Sequence, residues 1–446
     1  MKICHVLDCE DYDVAWLENL LEPFIQVNPG DRIFVKPNWV IDPWPGEEHN
    51  WKAYTTNGAV VEAVLRIIKK KIGGEGTVIL GDAPMHRSNL KRILKLHGIP
   101  EMLDRICDDK FKVELVDLRS YYFKYVHNLC VNRINLPGDP RGTKVVQLGS
   151  DSLFKEKENK KWAYYDRVDN VSSFHNEQSN AYDISASILS CDVFINLPKL
   201  KTHKSAGITC ALKNLVGTIG NKDCFPHRTI GYVKEGGDDT EDSLSRKIDS
   251  KKGPRSFIRK LLKRKNPIIN YALLPAYLAF HKIVGDKEKE QIGYDGGWYK
   301  NDTVWRGIVD LNRIILYGNK NGVMQEQPVR RYLCIADAIV AGEGFGPLHP
   351  TPRDFGRILV SDSAVALDRT AAMLIGFDYE KIPSIREAAR NMRWPLIGVD
   401  ETVIMEYNGK QVDLDSKEML DYVVKKAFLP APGWVGHIER ETHHEE

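Results

Sequence analysis

Short β-branched runs, each closed by a polar residue and followed by Pro, Gly or a helical pattern, recur along this chain and constrain its fold more than any other feature. Runs that are apolar on both faces are how strands buried in a parallel sheet read. Ile33-Phe34-Val35 runs into Lys36-Pro37-Asn38, and Val78-Ile79-Leu80 into Gly81-Asp82. Val113 to Val116 ends at Asp117, and Val193-Phe194-Ile195 leads to Asn196-Leu197-Pro198-Lys199. Leu333-Cys334-Ile335 precedes Asp337, and Ile358-Leu359-Val360 precedes Ser361-Asp362. Amphipathic segments lie between the runs. From Asn57 to Lys71, Val60, Val61, Val64, Leu65, Ile67 and Ile68 form one stripe; Thr56 or Asn57 can cap its start, and Lys69 to Lys71 suit its C-terminal dipole. Ser363 to Ile375, stopped by Gly376, is a second such helix. The alternation predicts an α/β fold built on an open, mostly parallel sheet with helices on both faces.

Two segments interrupt this pattern and divide the chain. Residues 1–139 read as a first α/β half. Residues 140–181 are a polar, aromatic elaboration, either a small antiparallel unit or a long ordered loop. Residues 182–230 carry a strand and a lysine- and histidine-rich loop, and 298–446 a second α/β half with a C-terminal extension. Between them, 231–297 is an insertion with a basic stretch (Arg255, Arg259, Lys260, Lys263, Arg264, Lys265) beside a largely apolar one, Ile268 to Val284. Asn270, Pro275, His281 and Lys282 interrupt that apolar run, so it predicts a lid or a helical hairpin lying on an anionic membrane surface rather than a span. With 63 Lys+Arg against 61 Asp+Glu, no global field recruits nucleic acid. Eight Cys without a C-x-x-C pair give neither a zinc ribbon nor a disulfide framework. The N-terminus turns acidic by Asp8 before any apolar core, so the expected location is the cytoplasm, with peripheral membrane contact through 255–284.

In open parallel sheets, ligands bind outside the carboxyl ends of the strands. Lys36, Asn38, Asp82, Asn196, Lys199, Asp337 and Asp362 would share that rim, although an Asp after a strand also serves as an ordinary helix cap. The densest signal is Lys199, Lys201, His203 and Lys204. Ile208, Ala211, Leu212, Leu215 and Ile219 recur at helical spacing, which predicts a helix starting near Thr202 or Ser205 with those cations at its positive end. Such crowding calls for an anion, and mutual repulsion lowers the basicity of Lys199 or Lys201. His203 titrates near neutrality and is the natural acid/base. The expected roles are therefore catalytic for Lys201, His203 and Asp82, and ligand-binding for Lys36, Asn38, Lys199, Lys213, Asn214 and Glu343. His203, His227, Asp82 and Glu343 form a candidate mixed N/O set for a divalent metal. Gly342-Glu343-Gly344-Phe345-Gly346-Pro347 misses the dinucleotide spacing and reads either as a tight turn or as a ligand-approaching loop.

Val-Lys-Pro-Asn38, Leu-Gly-Asp-Ala-Pro84, Asn-Leu-Pro-Lys-Leu-Lys-Thr-His203, Leu-Lys-Asn-Leu-Val-Gly217, Gly-Glu-Gly-Phe-Gly-Pro347 and Val-Ser-Asp362 with Ala-Leu-Asp368 resemble the domain of unknown function 362 family, over about residues 31–385 outside the insertions. Some members carry ferredoxin-type cysteine motifs, but none of this chain's cysteines has that spacing, so an iron–sulfur cluster is not expected. The resemblance also implies a distant fold similarity to the lactate-racemase group, where Lys and His serve a metal-containing cofactor. The leading expectation is an enzyme acting on a small carboxylate- or phosphate-bearing substrate, or a sugar derivative carrying such a group. A metal- or iron–sulfur-linked redox protein and a non-catalytic membrane-surface accessory protein are the rivals. The cofactor, the reaction class and the oligomeric state are not readable at this stage.

Overall fold

The computed structural model describes residues 1–126, 129–157, 162–163, 168–240, 271–272, 274–275 and 296–440. The basic stretch 255–265 and most of 268–284 lie outside them. Each apolar run forms a strand: β1 (Lys2–Asp8), β2 (Ile33–Pro37), β3 (Gly76–Asp82), β4 (Phe111–Asp117), β5 (Val193–Leu197), β6 (Lys199–His203), β7 (Gly207–Thr209), β8 (Arg331–Phe345), β9 (His349–Ser361), β10 (Val403–Tyr407) and β11 (Lys410–Asp413). Among the described residues these make an 11-stranded sheet in the order β11-β10-β1-β9-β8-β5-β2-β3-β4, with β6 beside β8 and β7 beside β6. Neighbours from β8 through β5, β2 and β3 to β4 pair in parallel; β9 runs antiparallel to both β8 and β1.

Alternation along the strands sends side chains into two cores. Ile33, Val35, Val193 and Ile195 pack with Val60, Val64 and Ile67 of helix α1 (Gly58–Lys71). Phe34 and Phe194, on the other face, pack with α2 (Val304–Tyr317) and α3 (Ala364–Leu374). Helices thus cover both faces, as the near-continuous apolar strands require. Asn57 caps α1 by accepting from the amide of Ala59 at 2.9 Å. Ser363, not Asp362, caps α3 through the amide of Ala366 at 3.3 Å. The 140–181 segment contributes Thr143–Gln147 to a three-stranded antiparallel sheet with Ser179–Ser185 and His175–Asn176. Polar residues at the start of α2 and along it pair with one another, Asp302 with Arg306 at 3.2 Å and Asp310 with Arg313 at 3.0 Å. Among the described residues no helix is long and apolar enough to cross a membrane.

Two expectations are corrected here. The chain from Lys199 to His203 is a strand, not the entry to a helix; β6 turns back through β7, and helix starts only at Ala211, as one α-turn over Ala211–Asn214 followed by a 3-10 turn over Leu215–Thr218. The helical spacing of Ile208, Ala211 and Leu212 arises because all three enter one core. The reversed direction of β9 places Asp362 at the opposite end of the sheet from Lys36 and Asp82, where it pairs with Lys2 at the start of β1.

Candidate functional site

The carboxyl ends of β2, β3 and β5, together with β6, gather a lattice of lysines and carboxamides. Lys36 and Asn196 are register partners on β2 and β5. The Lys36 ammonium donates to Asp82 Oδ1 at 2.7 Å and to Asn214 Oδ1 at 3.1 Å. Asp82 also accepts from the amides of Trp39 at 2.7 Å and Ala83 at 2.9 Å. The Asn214 carboxamide accepts from Asn38 Nδ2 and donates to Asn196 Oδ1, both at 2.7 Å. Asn38 Oδ1 in turn accepts from Lys201 at 2.9 Å, and Lys201 also donates to the carbonyl of Tyr54. Lys199 pairs with Asp337 at 2.9 Å; Tyr12 donates to the same carboxylate at 2.9 Å, and the amide of Asn57 at the start of α1 reaches its other oxygen at 2.9 Å. Lys36, Lys199 and Lys201 are fully buried.

Glycines make this density possible. A Cβ on Gly217 would stand 2.1 Å from Asp82 Oδ1 and 2.5 Å from Lys36 Nζ, so only glycine lets that turn close over the ion pair. A Cβ on Gly346 would lie 1.8 Å from the carbonyl of Thr202, and one on Gly342 would lie 2.9 Å from the Lys201 Cβ. The glycine motif therefore seats β6 against the β8–β9 hairpin; Lys204 donates its amide to Gly346 O at 2.9 Å and Thr202 its hydroxyl to Gly344 O at 2.9 Å.

Burial pulls the lysines below their ordinary range, since desolvation disfavours the charged form. Lys201 falls furthest, pushed also by Lys199 and Lys213. Lys36 and Lys199 fall less because Asp82 and Asp337 hold their charge. Lys213 is pulled down to about 8 by burial and Lys36, and Lys222, donating to Val216 O at 2.8 Å, to about 7. His203 is driven well below neutrality by burial and then by Lys213, Lys204, Lys201 and His227. Its Nδ1 accepts from the amide of Ser205 at 3.1 Å, so the neutral ring carries its proton on Nε2 and presents a donor.

Lys36, Asn38, Asp82, Asn196, Lys199, Lys201 and Asn214 are therefore brought together, with His203 and Lys213 electrostatically joined to them. Glu343 is not: it pairs with Arg353 at 2.8 Å and accepts from the amide of Leu429. The proposed metal set of His203, His227, Asp82 and Glu343 is not assembled. Asp82 is spent on Lys36 and two amides, and no group of three or more His, Cys, Asp or Glu among the described residues is arranged to hold a metal ion. Lys222, Tyr12 and Thr56 escaped sequence reading. Thr56, which donates to Leu197 O at 2.6 Å and accepts from the Asn38 amide at 2.9 Å, looked only like a helix cap.

The family model described as a domain of unknown function (DUF362) matches residues 33–146 and 137–373. A thylakoid-associated protein of Synechocystis sp. is 25% identical over 230 residues, covering 50% of this chain and 52% of that protein. The chain thus spans about half the length of that curated relative. A crystal structure of a protein from Thermotoga maritima covers 80% of this chain and 57% of its own at 10% identity, with a TM-score of 0.32.

Proposed function

This chain belongs to the domain of unknown function 362 family, and from that premise we propose that it is an enzyme binding a small carboxylate- or phosphate-bearing substrate at the lysine lattice. The observation that carries this reading is an imbalance of buried charge. Lys36 and Lys199 have carboxylate partners, whereas the buried Lys201 and Lys222, and the partly exposed Lys213 beside them, have none in ion-pair reach among the described residues. Burying an ammonium costs several kcal/mol even when paired, so the arrangement is a poor way to gain stability. An incoming anion supplies the missing charge. Lys201 and Lys213 attract it, the His203 Nε2–H donates to it, and Asn38 and Asn214 hold the lysines in place. The tautomer held by Ser205 makes His203 a donor and acid in the resting site, with base work only after that proton has left.

Titration calorimetry with inorganic phosphate and with oxalate tests the reading. Binding that is lost in His203→Ala and Lys201→Met is expected; no binding of either anion by the wild-type protein would overturn it. A second reading draws on the relative named as thylakoid-associated: a cytoplasmic protein resting on an anionic membrane surface through residues 255–284, which lie largely outside the described residues. Flotation with phosphatidylglycerol vesicles, unchanged by deleting 255–284, would refute it.

A further inference from the structure

A cleft of about 670 Å³ opens where the start of α2 meets residues 381–390 and 436–437, and no residue of the lysine lattice lines it. Clefts of roughly 300–1,000 Å³ hold small organic ligands. One side is rigid. The buried Arg306 is fixed by Glu156 at 2.5 Å, by Asp302 at 3.2 Å and by the carbonyl of Leu153 at 2.7 Å, and its guanidinium lies over the Trp305 ring, 4.5 Å from the centroid. Positive charge exceeds negative in the lining, where five cationic side chains face three carboxylates among the described residues. Glu156 is engaged by Arg306, and Glu387 by Arg386 at 2.8 Å. Arg390 reaches these same two carboxylates only at 3.5 and 3.4 Å, longer than a good charge-assisted hydrogen bond. Lys300 is exposed and has no ion pair among the described residues; its ammonium stands over the Tyr299 ring, 5.3 Å from the centroid. Tyr299 in turn stacks on the exposed His437, with ring centroids 3.6 Å apart and an interplanar angle of 17°, so a flat aromatic wall adjoins the poorly engaged cations.

We propose that this cleft is a second binding site, separate from the lattice, and that it takes a nucleoside phosphate. Three carboxylates against five cations leave two positive charges in the lining, which matches a phosphomonoester carrying about −1.5 to −2 at pH 7. Arg390 and Lys300 are the two cations least engaged by the protein, one offering a guanidinium fork to the phosphate and the other a point charge. The base lies along the Tyr299–His437 wall, since every base has a π-face that an aromatic side chain accepts. Asp302 and Glu387 are acceptors only, and ribose hydroxyls are the donors that suit them. A bare anion would leave the aromatic wall unused, and an uncharged ring would leave the two cations unanswered.

Titration calorimetry of the full chain with adenosine 5′-monophosphate, and with adenosine and ribose 5-phosphate as its two halves, reads the site. Saturable binding of the nucleotide is expected, weaker by about tenfold or more for either half and in each of Arg390→Ala, Lys300→Ala and His437→Ala. All three side chains are exposed, so the urea midpoint of each variant should stay at the wild-type value. No nucleotide binding by the wild-type protein would overturn the proposal. Binding that the three substitutions leave intact would also overturn it, because the nucleotide would then sit elsewhere, the lysine lattice included. Ribose 5-phosphate binding as tightly as the nucleotide would overturn the assignment of a nucleoside. None of these results touches the anion-binding reading of the lattice, which is tested by its own variants.

Discussion

Replacing Asp82 with Asn tests how the lattice is held. The change keeps the side chain's shape and removes the charge facing Lys36 at 2.7 Å, in a pair that is 0% and 2% exposed. Breaking such a pair leaves an uncompensated buried ion, at a cost of about 3–5 kcal/mol. The cost has a ceiling, because Lys36 can discard its proton. From an ordinary lysine pKa of about 10.4, doing so at pH 7 costs about 5 kcal/mol at roughly 1.4 kcal/mol per unit. The sign of the pH dependence follows. In the variant the folded state lacks a proton that the unfolded state binds, so stability rises with pH until the unfolded lysine also titrates. Urea melts followed by tryptophan fluorescence at pH 7, 8, 9 and 10 should show a gap between Asp82→Asn and wild type of about 4 kcal/mol at pH 7, shrinking to under about 1 kcal/mol at pH 10. A gap that is absent at pH 7, or unchanged at pH 10, would refute the reasoning. Adding Lys36→Met should recover much of the loss at pH 7, since the orphaned charge is then gone.

The other expectations are compact. Gly346→Ala drives a methyl into the Thr202 carbonyl and should displace β6, weakening phosphate binding in calorimetry as well as lowering the urea midpoint; unchanged binding would count against the packing role. Burial holds Lys222 at about 7, so the folded state gives up a proton there that the unfolded chain keeps; Lys222→Met should flatten the rise of stability between pH 7 and 10. Burial pushes Asp368 up to about 7, well above its unfolded value, so the folded state binds the extra proton and stability falls as pH climbs from about 4 to 7. Asp368→Asn should remove that slope in the same melts.

Much of the architecture was legible because buried parallel strands leave a coarse mark, and every short β-branched run quoted from the sequence became a strand. Direction was not legible. Ile358 to Val360 reads the same whether β9 runs up or down, and the long hairpin that reverses it lies in the pairing of β8 with β9. The lysine strand was misread for a related reason: Ile208, Ala211 and Leu212 meet one core from a strand and a helix, so helical spacing was satisfied without one helix. Within the site, Lys36, Asn38 and Asp82 were found because they close apolar runs or follow them, and Asn214 through the Leu-Lys-Asn-Leu-Val-Gly217 motif. Glu343 was misplaced because its neighbours are glycines chosen for the close approach of β6 and not for a ligand. Lys222 sits in a polar turn whose sequence gives no hint of burial.

Asn214 has one carboxamide and spends it on three partners: its oxygen serves Lys36 and Asn38, its nitrogen Asn196. These reach it from two neighbouring strands and the turn that leaves one of them, and Asn38 passes the constraint on to Lys201. Anyone retuning this pocket by changing one position at a time will find that no single replacement can satisfy the remaining three. Libraries should vary 36, 38, 196 and 214 jointly, because their effects will combine as a unit and not as a sum.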